Sequence, residues 1–144
     1  MRKGTSLVEL VVCLMIVSIL TAVAVPSAKR ILAGVAAERA ARDLMAAHRI
    51  ARFTAIMRAR PTQLEVTPES LVVRVLAGPE SGVVWRAAGP ASDGVALAAP
   101  TYPLAFTPLG LPKGVGNATY TFTRGSASRS VVISRLGRLR LERQ

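Results

Sequence analysis

The chain has 144 residues, enough for one domain with a modest core. Nineteen basic against eight acidic side chains give a net charge of +11. Such a surface attracts polyanions: nucleic acid, anionic lipid or acidic protein faces. A compositional bias toward Arg explains the charge equally well. The single cysteine, Cys13, excludes an intramolecular disulfide. The one histidine, His48, has no Cys or acidic cluster at ligand spacing, so no metal site is expected.

The chain opens on a short basic leader, Met1-Arg2-Lys3, and then an apolar stretch, Gly4 to Pro26. From Leu10 to Ala28, 19 residues carry no charge, about the length of a spanning helix. Arg2 and Lys3 put the N-terminus in the cytoplasm by the positive-inside rule. Glu9 is the exception in this run. A carboxylate in a bilayer is costly and calls for a partner. A chain cut after Gly4 supplies one, the new amine on Thr5.

Gly4, Ser6-Leu7-Val8-Glu9 and the apolar helix with Pro26 resemble the signal of type IV pilins and type II secretion pseudopilins. Counted from Thr5, Glu9 is the fifth residue and Pro26 the twenty-second, the spacing of that family. The resemblance implies cleavage by prepilin peptidase between Gly4 and Thr5 and N-methylation of Thr5. It implies assembly through Glu9 and Pro26, in the bacterial inner membrane, with other pilin or pseudopilin subunits as partners. The C-terminal domain then faces the periplasm. One departure stands out: the family usually has Phe where this chain has Thr5.

Residues 29 to 60 hold one Gly and no Pro before Arg60-Pro61 ends the pattern. Ala33, Ala37, Ala40, Leu44, Ala47, Ala51 and Ala55 recur at steps of three or four, one narrow stripe of a helix. Ile50, Phe53 and Ile56 or Met57 thicken the apolar surface. Glu38, Arg42, Arg49 and Arg52 are expected on a solvated face, and His48 on the surface. Pro26 is expected to bend the helix. The first 60 residues thus read as a leader (1–4), a transmembrane half (5–28) and an amphipathic half (29–60) of one long helix.

From residue 61 the pattern turns to short strands between Pro and Gly. Strands are predicted near 63–66, 71–76, 83–87, 95–98, 104–107, 118–123, 130–134 and 138–141. Tyr120 and Phe122 share a face, as do Val131 and Ile133. Trp85 is expected to anchor the core. The Pro- and Gly-rich stretch from Gly89 to Pro103 reads as a flexible loop. No nucleophile–base pair or phosphate loop is present, so neither an enzyme, a small-molecule substrate nor a cofactor is expected.

Six arginines, 124, 129, 135, 138, 140 and 143, lie in the last 21 residues, opposed only by Glu142. In a strand, Arg138 and Arg140 share one face about 6.6 Å apart, while Leu139 and Leu141 face the core. Two guanidinium forks so spaced suit phosphates without reading sequence. Phe106-Thr107-Pro108-Leu109-Gly110, Val131-Val132-Ile133-Ser134 and Gly137-Arg138-Leu139-Arg140 resemble the end of the GspH/FimT family of minor pseudopilins and minor pilins. That resemblance implies an α+β, type IV pilin-like fold, with a long helix packed on a C-terminal antiparallel two-sheet domain (61–144). It implies either a GspH-like subunit of a type II secretion pseudopilus or a FimT-like minor pilin whose Gly-Arg-x-Arg tail captures DNA. Arg138 and Arg140 carry the second role, with Arg135 and Arg143 beside them. The same tail also fits a purely structural element.

Overall fold

The computed structural model describes residues 6–79, 81–114 and 117–143. It has one helix, α1 (Leu7–Met57), and nine strands. These are β1 (Thr62–Val66), β2 (Ser70–Val75), β3 (Gly82–Ala88), β4 (Ala96–Ala98), β5 (Leu104–Phe106), β6 (Pro112–Lys113), β7 (Ala118–Arg124), β8 (Ala127–Ile133) and β9 (Leu139–Arg143). A 3-10 helix, Pro90–Asp93, precedes β4. Two antiparallel sheets result, with strand orders β3-β2-β1-β5-β6 and β4-β7-β8-β9.

The chain divides into two compact units after Leu32. In the first, every described residue from Ser6 to Leu32 is exposed, and most are large and apolar. This part of α1 is long and apolar enough to cross a membrane by length and composition. Ser18, Thr21 and Ser27 donate their hydroxyls to carbonyls one turn back, which satisfies these polar groups within the helix. The helix runs on through Pro26.

The second unit, residues 33–143, holds all the buried residues described. Ten belong to α1: eight alanines, Leu44 and His48. Every member of the predicted Ala/Leu stripe is buried. These small side chains form one buried cluster with residues from both sheets. Leu64, Leu71, Val73 and Phe106 come from the first sheet, and Tyr120, Phe122, Val131 and Ile133 from the second. The alternation at Tyr120/Phe122 and Val131/Ile133 points inward as predicted. Thr62, fully buried, donates its hydroxyl to the Ala51 carbonyl at 2.9 Å and ties β1 to the helix.

Several expectations are corrected. His48 is 1% exposed rather than superficial. It lies four residues after Leu44 and three before Ala51, so helical geometry carries it into the core. Of the residues expected to thicken the apolar surface, Ile50 packs against the core, while Phe53, Ile56 and Met57 are exposed. Trp85, on edge strand β3, is half-buried against the core rather than at its centre. The 89–103 stretch is built, not merely loop: Pro90 starts the 3-10 helix, Gly94 ends it at φ 66°, and β4 pairs with β7. Strand β6 was missed because two residues carry no periodicity.

The end of α1 is a Schellman-type cap without glycine. Ala59 N–H bonds the Ile56 carbonyl, Arg60 N–H bonds the Ala55 carbonyl, and Ala59 takes φ 47°. A left-handed alanine is strained. Ala59→Gly is expected to stabilise residues 33–144 by about 0.5–1 kcal/mol in urea unfolding. Leu44→Ala removes the only large aliphatic chain of the helix stripe and is expected to cost about 3 kcal/mol. A Leu44→Ala cost below that of a surface substitution would show that the helix face is not tightly packed.

Candidate functional site

Gly4 and Thr5, the predicted cleavage and methylation residues, lie outside the described residues. Glu9 lies in the first turn of α1 and is exposed, as is Pro26. A carboxylate in the first helical turn faces the positive end of the helix dipole. Glu9 has no ion pair among the described residues.

The C-terminal arginines separate into distinct environments. Arg135 and Arg138 are exposed and make no ion pair among the described residues. Arg140 lies on the outer face of β9, opposite Val132, with Nε 3.5 Å from Glu142 Oε1. Leu139 and Leu141 are half-buried against the core, as the strand alternation predicts. Arg143 faces the other way, toward α1, with Nε 3.9 Å from Glu38 Oε2.

Glu38 is the hub of that inner side. Its Oε2 accepts from Arg129 Nε at 3.0 Å, and its Oε1 from Arg42 Nη2 at 3.1 Å and Nε at 3.3 Å. Only 17% of the Glu38 side chain and 19% of the Arg129 side chain is exposed. The Arg129 hydrogen bond leads in holding the Glu38 carboxyl below its ordinary value, with Arg42 and Arg143 helping and burial opposing. Sequence reading placed Glu38 on a solvated face. Its principal partner is 91 residues away, beyond any helical spacing rule.

The two family-like turns share one construction. Thr107 O accepts from Gly110 N–H at 2.8 Å, and Ser134 O from Gly137 N–H at 2.8 Å. Thr107 Oγ1 accepts from Leu111 N–H, and Ser134 Oγ from Arg138 N–H. Gly110 and Gly137 both sit at φ 75°, where other residues are strained. A side chain at Gly110 would collide with Ile56, and one at Gly137 would crowd Pro112. Gly137 therefore has a structural role, and Arg138 is presented by the turn it closes.

His48 is a buried titratable group. Its ring meets Phe106 edge-on at 5.0 Å, and neither ring nitrogen has a hydrogen-bond partner among the described residues. Burial, with Arg52 and Arg49 adding repulsion, pushes it down to about 4. No group of three or more His, Cys, Asp or Glu able to hold a metal occurs among the described residues.

Comparisons with known proteins identify the family. The family model described as Type II transport protein GspH matches residues 40–137. The chain is 34% identical to the pilin-like protein PilA1 of Thermus thermophilus, over 98% of this chain and 99% of that one. This chain belongs to the GspH family. The fold is likewise that of solved relatives. The type IV minor pilin FimU of Pseudomonas aeruginosa superposes with a TM-score of 0.62 at 19% identity, covering 74% of this chain and 87% of that chain. The minor pseudopilin EpsH of Vibrio cholerae gives 0.59 at 14%, covering 74% and 96%. The GspH-family member thus shares the fold of these minor pilins and pseudopilins, with an N-terminal helix long and apolar enough to cross a membrane. The family match ends at Gly137, so Arg138 and Arg140 lie just beyond it.

The His48 environment gives a pH prediction. Its folded value is below the unfolded one, so acidification protonates the unfolded chain first and stability falls from about pH 6.5 toward pH 4. Residues 33–144 are expected to lose on the order of 2 kcal/mol between pH 7 and pH 5. Glu38, held low, adds a further loss only below its ordinary carboxylate range. In denaturant titrations, His48→Leu should flatten the pH 7 to 5 segment. An unchanged slope in that variant would remove His48 as its cause.

Proposed function

We propose that this chain is a minor pseudopilin of a type II secretion pseudopilus, a structural subunit rather than an enzyme. Prepilin peptidase cuts between Gly4 and Thr5, and Thr5 is then N-methylated. Residues 5–28 anchor the subunit in the inner membrane, with the N-terminus cytoplasmic and the 61–144 domain periplasmic. The observation that carries this reading is the exposed apolar face of residues 6–32 in a GspH-family chain. Such a surface needs lipid or other helices around it. Glu9, the one described acidic residue in that unit, guides docking by pairing with the amine of Thr5 or of a neighbour. Pro26 helps the helix fit the assembly.

A second reading is supported by the exposed, unpaired Arg135 and Arg138 and by Arg140 beside them. On it, the subunit belongs to a type IV pilus and binds DNA through phosphate contacts during DNA uptake. Arg143 contributes less, because it turns toward Glu38.

Loss of the gene separates the two: exoprotein secretion fails on the first reading and transformation on the second. Residues 33–144, which hold the whole described core, allow a direct binding measurement. On the DNA reading, Arg138→Gln/Arg140→Gln should weaken duplex binding and reduce the log–log salt slope by about 0.9 per lost contact. Equal binding by parent and variant rejects it. Separately, Glu9→Ala is expected to insert in the membrane normally yet fail to enter filaments. Normal incorporation would refute a docking role for Glu9.

A further inference from the structure

We propose that Arg42, Arg129 and Arg143 form an anion-accepting dock for a carboxylate side chain on a neighbouring, more acidic subunit. The proposal rests on the filament reading and adds a specific contact to it. Three guanidiniums converge on a single carboxylate, Glu38. That leaves a local excess of two positive charges.

Strand register makes the excess costly. Arg129 and Arg143 are directly opposite on β8 and β9. Their Cα atoms lie about 5 Å apart, and like charges so placed destabilise a sheet. Glu38 compensates one of them. Arg143 reaches Glu38 only through Nε at 3.9 Å, too far for a hydrogen bond. Both its Nη groups, with Arg42 Nη1 and Arg129 Nη2, make no hydrogen bond among the described residues. Arg129 Nη1 is taken by the Ser128 carbonyl at 2.7 Å.

The Arg42 and Arg143 side chains are 70% and 72% exposed, so the free donor forks are accessible. Arg129 and Glu38 are half-buried and fix the floor. A partner carboxylate meeting these forks makes charge-assisted, bidentate bonds on a preformed base. Glu38 shows that a carboxylate fits the cluster. This chain is a poor source of that group, at +11 with eight acidic residues, so the partner is a different subunit.

The test uses the full chain in detergent micelles with fluorescent hexaglutamate as the probe. Arg42→Gln and Arg143→Gln are each expected to weaken binding about fivefold, while Arg135→Gln/Arg138→Gln changes it less than twofold. Glu38→Gln, checked for folding by circular dichroism, is expected to tighten it. Inorganic phosphate should compete no better than chloride at equal ionic strength. Equal losses in both variant sets, absent saturable binding, or preferred binding of phosphate or duplex DNA would each overturn the dock. A second arm follows incorporation of Arg143→Gln into filaments. Reduced incorporation, with membrane insertion intact, supports docking. Normal incorporation overturns it and leaves the filament reading standing. If the unmutated chain enters no filament, the filament reading itself fails, and the dock as an inter-subunit contact fails with it, whatever hexaglutamate does.

Discussion

The close contact between the alanine stripe of α1 and the two sheets is the constraint on which the domain depends. Eight buried alanines replace the usual large helix residues. Most large side chains of the core come instead from strands, among them Phe106, Tyr120, Phe122, Leu64 and Ile133, with Leu44 and His48 from the helix. The helix supplies a smooth surface and the strands supply the volume. Packing at interior density then leaves little tolerance for enlarging the helix face. The buried Thr62–Ala51 hydrogen bond adds a directional tie at the same surface.

A polar contact complements this apolar one. Arg129 of β8 bonds Glu38 of α1, with both half-buried. Removing Glu38 would strand the Arg129 charge in a partly desolvated site, so the pair ties the second sheet to the helix. Arg42 and Arg143 surround the same carboxylate from the helix and from the edge strand. The arginines of the tail therefore do not act as one patch. Arg143 belongs to the helix-facing side, while Arg138 and Arg140 look outward beyond the turn closed by Gly137.

This division bears on function. The described N-terminal unit is exposed helix, mostly apolar, and the C-terminal unit holds all the buried residues described. A GspH-family subunit with that layout separates anchoring from recognition. The buried His48, unpartnered among the described residues, is a core group whose protonation works against folding, because burial disfavours the imidazolium.

Local pattern was enough for much of this. The uncharged run, the Ala/Leu stripe and the alternations at Tyr120/Phe122 and Val131/Ile133 depend on side-chain period alone, so sequence determined the long helix, its buried face and most strands. Gly137 was legible too, because a left-handed turn residue is nearly always glycine. Other features required the tertiary structure. His48 carries a polar side chain at a core position, and only the arrival of Phe106 against it shows that the position is buried. Strand β6 is two residues long and exists through its partner β5. Glu38 read as a surface charge because its partners Arg129 and Arg143 come from strands some ninety or more residues later, and long-range pairing leaves no periodic trace in the chain.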